Sequence, residues 1–383
     1  MVSSAPPTSR LASIDLLRGS VMLLMLLDHV RETFYLHHQV SDPMDAATVA
    51  PGLYLSRMLA HLCAPVFVLL TGLSAWLYGQ RQIDPPRAAA VFLAKRGLFL
   101  VVLELTLVNF AWTWQFPPHT LYLQVIWAIG LSMLALSILL WLPRPVLALL
   151  GVLLVAGHNL LDGVYAHADG GIAALWKVLH QRDWIVLADG LRVRTSYPLL
   201  PWIGVIALGY AMGPWYGGLA ARARQRRLLG AGAVALVIFV LLRAYNGYGD
   251  HPWIALADPL RSAMSFFNVT KYPPSLLFVL LTLGIALLLL RAFEWPPLQR
   301  QRWLALFGAA PMFFYLLHLY LLKLLQLGAQ ALWGANQGER YGFDGIAMLW
   351  LCALLVALAL YWPVCAFARF KARRRDLLWL RYL

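Results

Sequence analysis

The chain has 383 residues, 61% of them hydrophobic and only 13% charged, with a formal net charge of +14 and a mean hydropathy of +0.68. Soluble domains hold about 45–50% apolar and about 25% charged residues, which excludes an ordinary soluble enzyme, a disordered chain and a coiled coil. The apolar residues fall in runs of about 20, the length that crosses a bilayer.

The runs and their breakers predict an all-α, polytopic transmembrane helical bundle, one integral-membrane domain over 1–383. About ten spans are read, at 11–33, 56–79, 92–113, 121–141, 145–161, 198–218, 228–244, 273–293, 304–333 and 345–368. Proline pairs such as Pro85-Pro86, Pro117-Pro118, Pro273-Pro274 and Pro296-Pro297 punctuate the ends. The longest connections, 162–196 and 245–272, leave no room for a soluble domain. The opening MVSSAPPTSR is short and polar, and the first apolar run already carries Asp15 and Arg18, so no cleavable signal peptide is expected.

Lys and Arg set the orientation. With the N-terminus in the cytoplasm, the inner ends collect about twice as many basic residues as the outer ends, including the Arg222, Arg224, Arg226, Arg227 group and the Arg373, Arg374, Arg375 run. That bias predicts both termini inside and an even number of spans. It also accounts for the positive charge without a nucleic-acid partner, and the Arg373–Arg375 run reads as an anchor beside anionic lipid. Cys63, Cys352 and Cys365 lie inside apolar segments with no CxxC spacing, so they read as buried thiols, and no metal site is expected.

Charge inside a bilayer is costly, so each intramembrane ionisable residue asks for a reason. The first span, RLASIDLLRGSVMLLMLLDHVRETFYLHH, is the most polar. Eleven residues separate Arg18 from His29, about 20° past three full turns and about 16 Å of rise. Asp15 lies three residues before Arg18, so all three share a face. Asp15 and Arg18 can pair, either as a helix-end anchor or as part of a site. His29 is either a buried histidine satisfied by a neighbour or a proton-transfer group suited to neutral pH. Asp28, Arg31 and Glu32 crowd the outer end, followed by His37 and His38, which also fit a solvated loop. Other spans add His61, Glu104 with Asn109, Gln124, His158 and His318. Each alone fits an interhelical hydrogen bond; together they describe a polar interior. No P-loop, GxSxG, HExxH or GxGxxG motif is present, and inverted repeats are not evident.

The stretch RLASIDLLRGSVMLLMLLDH resembles the start of the heparan-α-glucosaminide N-acetyltransferase catalytic-domain family and its bacterial relatives. The likeness continues in order through AHLCAPVFVLLTGLSAWL, KRGLFLVVLELTLVNFAW, IWAIGLSML, YPLLPWIGVIALGYAMG and FFYLLHLYL. The resemblance implies a transmembrane acyltransferase of a bacterial cytoplasmic membrane. It would move an acyl group, acetyl in the family, from cytosolic acyl-CoA to a sugar or glycan acceptor. The histidine of the lysosomal relative lies beyond the first helix, and its nearest match here is His38 or His37. Type-three membrane acyltransferases share an arginine, ten residues, histidine pattern that Arg18 and His29 reproduce. In the lysosomal pattern an amide stands at the His29 position, so amine and hydroxyl acceptors both stay open.

On this reading His29 is the general base or transient acyl carrier, with His38 and Asp28 as the other catalytic candidates. Arg18, held by Asp15, faces the CoA end; Lys95, Arg96 and the Arg222–Arg227 cluster fit CoA phosphates and fit topology anchors equally well. His37, Arg31, His61, Glu104 and His318 are candidates for acceptor binding. Arg57 is placed near the outer face, away from the donor. A homodimer is a candidate assembly that the sequence does not decide. The rival reading is a non-enzymatic carrier or transporter of a small polar solute or lipid using the same polar interior.

Overall fold

The computed structural model describes residues 12–35, 42–166, 170–187, 190–374, 376–377 and 380. Among them, a helix occupies the place of each expected span. These are α1 (Ala12–Val30), α2 (Pro51–Gly79), α3 (Pro85–Leu103), α4 (Val125–Leu139), α5 (Arg144–Gly157), α6 (Leu200–Ala211), α7 (Ala221–Tyr245), α8 (Leu276–Ala292), α9 (Pro311–Trp333) and α10 (Ile346–Arg373). By length and composition α2, α7, α9, α10 and α5 with its continuation to Leu161 are each apolar and long enough to cross a membrane. The shorter α4 and α8 are also apolar. The first helix, α1, carries Asp15, Arg18 and Asp28 and is buried along nearly its whole length, with Leu16, Leu17, Met22 and Val30 fully enclosed. It packs against α2, α8, α9, α10 and the short helix Arg302–Phe307. That central position explains its composition, because its polar groups meet protein partners there.

Proline opens several helices that the sequence reading starts later. Pro85 and Pro86 occupy the first turn of α3, where Asp84 accepts from the Arg87 N–H at 3.4 Å. A missing N–H costs nothing in that turn. Glycine pairs let four helix pairs approach closely. A Cβ on Gly97 of α3 would lie 2.6 Å from the Gly130 oxygen of α4, and one on Gly209 of α6 would lie 2.1 Å from the Leu69 oxygen of α2. Gly151 with Gly204 joins α5 to α6, and Gly232 with Gly284 joins α7 to α8 in the same manner.

The connections hold more structure than expected. Three strands, β1 (Thr120–Leu123), β2 (Trp184–Val186) and β3 (Arg192–Thr195), form a sheet of order β1-β3-β2 with β1 parallel and β2 antiparallel to β3. β1 falls in what reads as the start of a span. Asn109 draws it out of the helix: its amide donates to Thr120 O at 3.0 Å and accepts from Tyr122 N at 3.0 Å. The 245–272 connection carries the helix Pro259–Phe267 and is tied to α7 by Arg243. That buried guanidinium donates to the carbonyls of His251, Ser265, Phe266 and Asn268 at 2.7–2.9 Å.

Candidate active site

Two π-helical turns frame the polar interior, Arg31–Tyr35 directly after α1 and Glu104–Val108 directly after α3. Such turns are often found at functional sites. Just before the first, His29 is buried and stacks on His318 of α9, with ring centroids 4.9 Å apart and planes 13° from parallel. His29 Nδ1 lies 2.6 Å from His318 Nε2, and His318 Nδ1 lies 2.8 Å from the Phe314 carbonyl oxygen. A carbonyl only accepts, so His318 Nδ1 carries the proton. The neutral His318 ring then presents its Nε2 lone pair, so His29 Nδ1–H is the donor between the rings. His29 Nε2 is left as the basic nitrogen. The edges of Trp112 and Tyr315 close on the ring at 5.2 and 5.9 Å.

Next to it, Asp28 accepts from Arg31 Nε at 3.0 Å and from Arg57 Nη1 at 2.5 Å. Both carboxylate oxygens are engaged by guanidinium groups, so Asp28 anchors two arginines. Arg57, read from sequence only as a residue near the outer face and away from the donor, joins this cluster. It is buried, pairs with Asp28 and donates to Tyr272 OH at 3.4 Å. Its place four residues before His61, on the same helix face, was the signal available for it.

Two cavities meet around this cluster. The smaller, 480 Å³, is lined by Arg18, Arg96 and Lys371 and reaches His29 and Tyr315. Arg18 Nη1 donates to Asp15 at 3.1 Å and Nη2 to Ser74 Oγ at 3.4 Å. The larger, 940 Å³, is lined by Arg31, Arg57, His61 and the loops around Arg182, Arg194 and Lys271. Glu32, Gln124, Tyr197, Lys271 and Tyr272 line both.

The structure thus brings Arg18, Arg96, His29 and Asp28 to one cavity and Arg31 and His61 to the other. Asp15 is buried against Arg18, and His318 stands behind His29. Two further candidates, like Asp15 and His318, line neither cavity. Lys95 is exposed to the outside. Glu104 is buried and accepts from Trp127 N at 3.1 Å, capping the first turn of α4. His37 and His38 lie outside the described residues. Lys271, Tyr272, Tyr197 and Gln326 were missed, because the Lys271–Pro274 turn reads only as a helix breaker and a lone tyrosine or glutamine carries no spacing signal.

A helical membrane protein with two adjoining polar cavities, one of them reaching a buried histidine, is the class that fold and site define. Residues 10–241 match the profile of the family described as heparan-alpha-glucosaminide N-acetyltransferase, catalytic. The match covers more than half of the chain, and the chain belongs to this family, an acetyltransferase-type family of membrane proteins. The matched segment holds Arg18, His29, Arg57 and His61, whereas Lys271 and His318 lie beyond it. No curated protein matches the chain significantly.

Proposed function

We propose that the protein is an integral-membrane acyltransferase that moves an acyl group, acetyl by family character, from acyl-CoA to a sugar or glycan acceptor. The carrying observation is His29, held in one tautomer by His318 on the wall of the smaller cavity, one helical turn from Glu32, which lines both cavities. The acceptor's hydroxyl or amine gives its proton to His29 Nε2 while its oxygen or nitrogen attacks the thioester carbonyl. The C–S bond breaks, and the departing thiolate takes the proton back from the imidazolium. The products are acylated acceptor and free CoA, with no other reactant. The same nitrogen can instead carry the acyl group between two transfers. Asp28 orients Arg31 and Arg57 beside the ring, and His38 is the alternative base.

The smaller cavity suits the donor, because Arg18, Arg96 and Lys371 line it and CoA carries phosphates. Asp15 holds Arg18 in place. Ten spans with both termini in the cytoplasm, as the basic residues predict, put these cations on the cytosolic side of a cytoplasmic membrane. The acceptor then arrives from the opposite face.

The test is consumption of radiolabelled acetyl-CoA by the purified full-length protein with hexosamine acceptors, in parent and His29→Ala. Acyl transfer that falls sharply in the variant while CoA still binds supports the reading. A protein that neither binds CoA nor consumes acetyl-CoA is a carrier or transporter instead.

A further inference from the structure

We infer that the larger cavity binds an oxyanion carried by the acceptor, of the phosphate type, with Lys271 as the innermost contact. This inference rests on the acyltransferase reading for the word acceptor; the anion site itself rests on the cavity wall. Among the described residues, Asp28 and Glu32 offset Arg31 and Arg57 at the inner end. Further cations line the cavity, Arg182, Arg194, Lys271 and Lys323, and Asp42 is the other acid on its wall. Like charges gathered around a concave, partly dehydrated wall focus a positive potential that favours an anion.

Lys271 makes the argument specific. It is only 7% exposed and lines both cavities, and no hydrogen bond or ion pair engages its ammonium group among the described residues. It stands 5.3 Å from the centroid of the Tyr272 ring, which Arg182 and Arg57 also approach, at 4.7 and 5.9 Å. Three cations thus surround one aromatic ring, with a single carboxylate cluster, Asp28 and Glu32, on the Arg57 side. A buried ammonium is stable when it is paired, and the partner that the wall accommodates is an anionic ligand. Two more buried polar atoms on the same wall, His61 Nδ1 and Gln326 Nε2, have no hydrogen-bond partner. Apart from Lys271, the cations of the smaller cavity are Arg18, near the start of α1, with Arg96 and Lys371, so donor phosphates have a separate place.

The experiment measures inorganic phosphate binding by calorimetry on the purified full-length protein. Lys271→Gln and Arg182→Gln should each weaken binding about tenfold or more, the usual loss for a hydrogen bond to a charged group. Lys271→Arg should restore it, and Arg87→Gln, an exposed cation off both walls, should leave it unchanged. Phosphate should compete with the acceptor and not with acetyl-CoA. In acetyl transfer, glucosamine 6-phosphate should be preferred over glucosamine by about tenfold in kcat/KM, and that ratio should fall towards one in Lys271→Gln. Phosphatidylcholine vesicles doped with a polyprenyl-phosphate-linked hexosamine form the second arm; preference for that acceptor identifies a lipid source, and preference for the sugar phosphate a soluble one. Equal phosphate affinity in parent, Lys271→Gln and Arg182→Gln overturns the inference, as does competition with acetyl-CoA. Phosphate binding that follows the expected pattern in a protein with no acyl transfer upholds the anion site and overturns the enzyme reading.

Discussion

His29 and His318 are 289 residues apart in the chain, yet their rings stack with Nδ1 and Nε2 2.6 Å apart. The Phe314 carbonyl decides the tautomer of the second ring, and the second ring decides that of the first. A histidine so held offers one lone pair in a fixed direction, as a general base requires.

Replacing His29 by Ala should lower turnover by about 10²–10⁴, the usual cost of a lost general base, with CoA binding retained. His318→Gln keeps an acceptor oxygen for His29 Nδ1–H, whereas His318→Leu removes it. The Leu variant should therefore lose at least about tenfold more in kcat than the Gln variant, at similar KM. His38→Ala is the comparison the family likeness demands. Steady-state kinetics on the purified variants checks all four. Full activity in His29→Ala with loss in His38→Ala would move the base to His38.

Donor binding should separate two basic residues, Arg18 and Lys95, that both count as donor-site candidates from sequence. Arg18→Ala should weaken CoA binding about tenfold, because Arg18 lines the smaller cavity. Lys95→Ala should leave it unchanged, because Lys95 is exposed and off that wall. Equilibrium binding of CoA reads both, and equal losses would place the donor elsewhere.

Helix contacts through glycine should be intolerant of a single methyl group. Gly209→Ala puts a Cβ against the Leu69 backbone oxygen and should destabilise by about 1–3 kcal/mol through forced backbone movement. Gly230→Ala in α7 meets nothing within 4 Å and should be neutral or stabilising by up to about 1 kcal/mol. Thermal unfolding in detergent compares them.

The loop that carries Lys271 should be acid-sensitive. Burial by itself would raise the Asp250 pKa, but His251, Ser275 and Thr270 bond to the carboxylate and hold it below the usual range. A carboxyl depressed in the folded state contributes stability above its unfolded value of about 3.9 and loses it as pH falls through the folded value. Hydrogen exchange over 246–275 should therefore accelerate as pH drops below about 4 relative to the intrinsic rate. Asp250→Asn should show faster exchange at neutral pH and a flatter pH response. An unchanged profile in the variant would remove Asp250 from the loop's support.

Composition and hydrophobic runs were enough to locate the helices, because a segment of apolar residues has few other stable forms in lipid and proline marks its ends. The 3.6-residue period was enough to put Asp15, Arg18 and His29 on one face, since that relation is internal to a single helix. The partners of that face were not legible. His318 looks like any interhelical histidine until α9 is packed against α1, and Arg57 looks peripheral until Asp28 meets it. Glu104 looks like a site residue until Asn109 pulls β1 aside and leaves the α4 N-terminus for the carboxylate to cap. The β-strands were lost because three or four residues carry too little periodic signal beside a long apolar run. Which polar groups share a helix face is a property of local geometry, and so of sequence. Which faces meet, and hence which nitrogen is basic and which cations line which cavity, depends on contacts between segments hundreds of residues apart, and only the packed bundle decides them.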